Sequence, residues 1–139
     1  MRALIAAAFA FLSACAPPAP VAEAPTAEQL ATRGEYLVLA IGGCNDCHTP
    51  MIPQGPDMAR SLQGTALAMA PTIEMPWAPV APPIAGIPAH FTEEQFIAFL
   101  QTGIRPDGSH ALPPMPQYRL NQDDARAVAA YVKSLPPAS

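Results

Sequence analysis

Leu30, Gly34, Leu37, Val38 and Ile41 recur three and four residues apart, the spacing of one face of a helix. Just before them, Thr26-Ala27-Glu28-Gln29 has the capping-box pattern: a threonine that can accept a backbone N–H, and a glutamine three residues on that can reach back. The pattern predicts a helix that starts at Thr26 and stops at Gly42-Gly43, where a left-handed backbone costs little. A second capping box, Thr92-Glu93-Glu94-Gln95, precedes Phe96, Phe99 and Leu100 and is followed by Gly103, which predicts a second helix with those three residues inward. The third helix follows Asn121 as cap. Asp123 and Asp124 suit the positive end of its dipole, Ala125, Val128, Ala129, Val132 and Leu135 form one apolar stripe, Lys133 lies in the last turn and Pro136-Pro137 ends it.

The first fifteen residues, MRALIAAAFAFLSAC, have a different pattern. A basic start, Met1-Arg2, is followed by an apolar run from Ala3 to Phe11 and a small-residue end, the layout of a secretory signal too short to span a bilayer. Leu12-Ser13-Ala14-Cys15 is similar to a bacterial lipobox, so residues 1–14 are expected to be removed and Cys15 to become the lipidated first residue of the mature chain. The alternative is a plain signal cleaved near Ala14 or Ala16, which leaves Cys15 incidental; a free, exposed cysteine in an oxidising compartment is a liability. Residues 16–25, rich in proline and alanine and without periodicity, are expected to form a stiff, extended tether about 30 Å long. Residues 26–139 are then the single domain. The expected location is the periplasm, on a lipid anchor whose leaflet the residues leave open.

Composition narrows the picture further. Half of the 139 residues are apolar and 13% are charged, enough for one small core. Removing residues 1–14 deletes Arg2 and leaves six basic against eleven acidic residues, a net charge of about −5. A nucleic-acid binder would carry a basic patch. Between the first two helices lie about forty residues with little periodicity, and Met69 to Pro88 is crowded with proline. A loop this long in a small domain, together with aromatics at only 6%, makes sense if the chain wraps a large apolar group that is not protein.

The chemistry is concentrated in GCNDCHTP, residues 43–50. A closed zinc site needs four ligands, and Cys44, Cys47 and His48 have no second cysteine pair to complete the set; nothing in the spacing of His90 or His110 favours them. A thioredoxin-like dithiol expects a strand before the cysteines and a helix after them, whereas here the cysteines follow a helix. Cys-x-x-Cys-His in an exported chain is the attachment signature of c-type haem. Each sulfur adds to one vinyl group of the porphyrin, and the residue after the second cysteine, His48, falls under the ring as proximal ligand. Its other ring nitrogen is expected to donate to a backbone carbonyl, with the segment from Pro50 to Pro56 as candidate.

A sixth ligand could come from Met51, Met58, Met69, Met75, Met115, His90 or His110. Most methionines are packing. Met115 differs because Pro113, Pro114 and Pro116 stiffen the loop that presents its sulfur.

Residues 34–50, GEYLVLAIGGCNDCHTP, and 91–136, FTEEQFIAFLQTGIRPDGSHALPPMPQYRLNQDDARAVAAYVKSLP, resemble the class I c-type cytochromes. Within that family the chain looks most like single-haem proteobacterial cytochromes and the haem modules of dehydrogenase cytochrome subunits. The resemblance implies an all-α cytochrome c fold of about three to four helices, with long Pro-rich loops around one covalent haem c. It implies Cys44 and Cys47 as thioether residues, His48 as proximal and Met115 as distal iron ligand, and Gly34 against Tyr131 where the first and last helices cross. Residues 51–90 match the family poorly; Arg60, Trp77 and Arg105 are the candidate propionate contacts.

With both axial positions filled, no open site remains for a substrate. The implied role is one-electron transfer without catalysis, between a dehydrogenase as donor and a terminal oxidase or reductase as acceptor. Two alternatives stand beside it: a haem subunit held within a multi-subunit dehydrogenase, and a gas-sensing or peroxidase-like haem protein in which Met115 is not on iron.

Overall fold

The computed structural model describes residues 23–138. The expected signal peptide, Cys15 and most of the tether lie outside the described residues; residues 23–25 are exposed and without regular structure. The architecture is mostly α and compatible with a cytochrome c fold: α1 (Ala27–Tyr36), α2 (Cys44–His48), α3 (Glu93–Thr102) and α4 (Gln122–Ser134). Among the described residues, no helix is long and apolar enough to cross a membrane.

Both capping boxes form. The Thr26 Oγ1 accepts the Gln29 N–H at 3.2 Å while the Gln29 side chain accepts the Thr26 N–H at 2.8 Å. Thr92 and Gln95 repeat the exchange at 3.2 and 2.9 Å, and Gly103 closes α3 with φ 72°. In α4, the Asn121 side chain accepts the Asp124 N–H at 2.8 Å.

Crossing of α1 over α4 is the main helix contact. Gly34 is buried there, with Ala127 and Tyr131 of α4 directly opposite. The core continues through Leu37, Val38, Phe96, Leu100, Val128 and Val132. Ala127 is fully buried although it lies off the expected stripe of α4, because it faces Gly34.

The first helix departs from expectation at its end. Leu37–Ile41 is a π-helical turn, closed by the Gly42 N–H donating to the Leu37 carbonyl at 2.7 Å. One extra residue in the turn shifts the later side chains out of phase with α1. Ile41 is therefore 62% exposed and does not join the apolar face.

The region expected to be a structureless loop contains two short ladders. In the first, β1 (Met51–Ile52) pairs antiparallel with β2 (Gly55–Pro56); in the second, β3 (Thr65–Ala66) pairs with β4 (Val80–Ala81). Backbone bonds fasten the rest: the Gly64 N–H to the His48 carbonyl at 2.6 Å, the Ile84 N–H to the Leu62 carbonyl at 2.9 Å, and the Gly86 N–H to the Val132 carbonyl at 2.8 Å. These bonds wrap the segment around the end of α2 and onto α4.

Candidate haem site

The Cys-x-x-Cys-His motif is itself a short helix, where the spacing placed it only beyond a helix end. Gly43 caps its N-terminus at φ 60°, a left-handed conformation that turns the chain sharply between the π turn and α2. Along one turn, Cys44, Cys47 and His48 then face the same way. All three line an apolar cavity of about 340 Å³. Neither cysteine is in a disulfide. Among the described residues, no group of three or more His, Cys, Asp or Glu side chains is arranged to hold a metal ion.

His48 is 6% exposed. Its Nδ1 lies 2.7 Å from the carbonyl oxygen of Pro82. A carbonyl only accepts, so Nδ1 carries the proton and Nε2 keeps its lone pair. Burial pushes the imidazole pKa down, against a smaller upward effect of the Pro82 bond, and this favours the neutral ring that a metal needs. The carbonyl expected between Pro50 and Pro56 is thus corrected to Pro82, thirty-four residues from the histidine. Residues 50–57 fold away into the β1–β2 hairpin, with the Asp57 N–H on the Pro50 carbonyl at 2.8 Å, while the β3–β4 ladder returns the chain to His48.

Thr49 supports the same helix from behind. Fully buried, its hydroxyl donates to Asn45 Oδ1 at 2.6 Å and accepts the Leu62 N–H at 2.8 Å. Leu62 is itself fully buried with φ 59°, so the threonine satisfies an amide in a strained turn. Sequence reasoning missed this network. The available signal was that Asn45 and Thr49 stand four apart, the spacing of one helical turn.

Met115 also lines the cavity, half-buried in the turn from Pro113 to Met115. It is the one methionine of the described residues that lines the cavity. Met51, Met58, Met69 and Met75 lie on the surface, each at least 39% exposed. His110 is exposed, and its carbonyl accepts from Arg105. His90 does reach the cavity wall, exposed and with its ring 4.6 Å from that of Phe91.

The three candidate propionate contacts separate. Arg105 lines the cavity, and its Nη1 donates to Ser109 Oγ at 3.2 Å and to the His110 carbonyl. Trp77 has a buried Nε1 with no partner in the structure, next to Ala78 on the cavity wall. Arg60 points elsewhere, 57% exposed and paired with Asp57 at 2.8 Å. An apolar cavity with two thiols, a neutral imidazole, a thioether and a guanidinium among its lining residues fits a porphyrin carrying vinyl and carboxylate groups. Val38, Phe96, Phe99, Leu100, Val128 and Val132 supply the apolar walls.

Tyr118 was also missed. It lines the cavity, and its hydroxyl donates to the Gly42 carbonyl beside Cys44. Burial pushes its pKa up to about 12, so the hydroxyl stays protonated as a donor at neutral pH.

A mostly-α fold with a Cys-x-x-Cys-His helix over an apolar cavity defines the chain as similar to c-type cytochromes. The particular relatives are two proteins named alcohol dehydrogenase (quinone), cytochrome c subunit, from Gluconacetobacter polyoxogenes and Komagataeibacter europaeus. Each is 33% identical over 130 residues, an alignment that takes in 82% of this chain and 26% of the relative. The chain therefore spans about a quarter of the length of the curated relatives it matches. This likeness supports a cytochrome c-type relationship. No protein-family profile matches the chain.

Proposed function

We propose that this chain is a non-catalytic electron-transfer protein holding one haem c, bound through Cys44 and Cys47 with His48 and Met115 as axial ligands. The observation that carries the ligand assignment is that Met115 alone among the described methionines shares a cavity with the CNDCH helix. When bound, the haem supplies an iron that takes up and gives back one electron, cycling between Fe(III) and Fe(II). The protein's part is to position the ligands and exclude water. The Pro82 carbonyl keeps the proton on Nδ1, the Thr49–Asn45 pair anchors the helix that carries His48, and the proline-flanked turn presents the Met115 sulfur.

The donor we propose is a dehydrogenase, the reading favoured by the names of the relatives. The acceptor is a terminal oxidase or reductase. A chain working as a fixed subunit of the dehydrogenase would co-purify with it at constant stoichiometry; a mobile carrier would not. Cys15 would carry a lipid that tethers the domain on the periplasmic side of a bacterial membrane, and incorporation of labelled fatty acid into the mature protein tests that step.

The test of ligation is spectroscopic. Ferric wild-type protein should be low-spin, show the methionine-to-iron charge-transfer band and bind no carbon monoxide when reduced. Met115→Ala should lose the band, while His90→Ala should keep it. A band that survives Met115→Ala overturns the assignment, and a high-spin wild type that takes up carbon monoxide would favour the gas-sensing or peroxidase-like alternative.

A further inference from the structure

We infer that Tyr118 is a positioning residue that clips the Met115 loop to the turn opening the CNDCH helix, and so holds the methionine sulfur in place over the cavity. The inference rests on the Met115 ligation proposed above.

Tyr118 stands three residues after Met115, and Gly42 two residues before Cys44. The hydroxyl of the first donates to the carbonyl of the second across 76 residues of chain. A point one Cβ out from Gly42 would lie 3.3 Å from Cys44 Sγ and 3.7 Å from Tyr118 Oη, so hydroxyl and sulfur meet at the same corner of the cavity. The bond to the Gly42 carbonyl uses no thiol proton, so it does not depend on whether Cys44 is a thiol or a thioether.

Three other tethers hold the same loop, and all run to other elements. The Ala78 N–H donates to the Pro113 carbonyl at 2.8 Å, Gln117 Nε2 to the Thr102 carbonyl at 2.7 Å, and the Leu120 N–H to the Leu100 carbonyl at 3.2 Å. They bind the loop to the β4 side and to α3. Tyr118 ties it to the side that carries the cysteines. Loss of the hydroxyl alone would leave the loop attached while freeing the segment that sets the distance between Met115 and His48.

External imidazole competes with a methionine for iron, so its affinity reports how firmly the sulfur is held. Haem-loaded wild type, Tyr118→Phe and Met115→Ala would be titrated with imidazole while the charge-transfer band and the helical circular dichroism are followed. Tyr118→Phe should keep the band and the helical signal and bind imidazole about fivefold more tightly, the equivalent of one ordinary hydrogen bond. An affinity within twofold of wild type overturns the clip. Loss of the helical signal in Tyr118→Phe also overturns it, since the hydroxyl would then support the whole fold instead of the sulfur. Failure of the underlying ligation has a separate signature: wild type without the band, or Met115→Ala binding imidazole no more tightly than wild type.

Discussion

A β-carbon placed on Gly34 would lie 1.9 Å from the carbonyl oxygen of Ala127 and 2.8 Å from the Cβ of Tyr131. The backbones of α1 and α4 therefore touch through a position that tolerates no side chain. The obstacle is main chain in the middle of a helix, which cannot swing aside as a flexible side chain could. Gly34→Ala gains helix propensity worth about 1 kcal/mol. The clash outweighs it, because forcing the two helices apart disturbs the packing of Val38 and Val128 as well. We expect a net loss of about 3 kcal/mol in guanidinium unfolding, at the upper end of ordinary overpacking. A variant as stable as wild type would show that the crossing can relax.

The hydroxyl of Thr49 serves a donor and an acceptor with no solvent in reach. Thr49→Val preserves the shape, removes both bonds and leaves the Leu62 N–H buried without a partner, at a cost of about 2 kcal/mol. Thr49→Ser keeps the hydroxyl and gives up one methyl group, about 0.8 kcal/mol. Serine should therefore be the milder change in chemical denaturation. The reverse order would mean that methyl packing, not the polar network, matters at this position.

Arg105 is a cation on the cavity wall; it hydrogen-bonds the neutral Ser109 and His110 carbonyl, and the Asp107 carboxylate is near enough to feel its charge. A cation near the iron favours the reduced state, which carries one positive charge fewer. In the haem-loaded protein, Arg105→Gln should lower the midpoint potential by on the order of 50 mV, the size of a single charge acting through a partly solvated path. Redox titration followed by absorbance reads this directly. An unchanged potential would place the guanidinium too far from the iron to be felt.

How much of this could be read from the chain depends on the distance over which each feature is encoded. The capping boxes at Thr26 and Thr92 and the stop at Gly103 are written within three or four residues and form where the spacing puts them. Cys44, Cys47, His48 and Met115 stand out in the chain because their chemistry is rare and their neighbours are distinctive, and all four line one cavity. The π turn at Leu37–Ile41 has no such local signal, since its residues suit an ordinary helix. Pro82 could not be singled out among nineteen prolines, because its role lies in a carbonyl that every residue carries and in a ladder of two residues per strand. Tyr118 bears on Gly42 through the whole intervening fold, and nothing local announces it.

At the start of α4, two interactions converge on Asp124 and should differ in worth. The Asn121 side chain accepts the Asp124 N–H at 2.8 Å, and its amide donates to Asp124 Oδ2 at 3.1 Å. Arg33 reaches over from α1 and donates to Asp124 Oδ1 through Nε at 3.1 Å and Nη2 at 3.0 Å. The arginine side chain is 51% exposed, so water competes for it and salt screens it. The cap satisfies an N–H that has no other partner in the first turn. Asn121→Ala should cost about 1 kcal/mol and keep that cost in high salt. Arg33→Ala should cost about 0.5 kcal/mol at low salt and less as salt is added. Unfolding of both variants at two ionic strengths separates the mechanisms: equal salt sensitivity would mean that the cap acts through the charge of Asp124 and not through its own hydrogen bond.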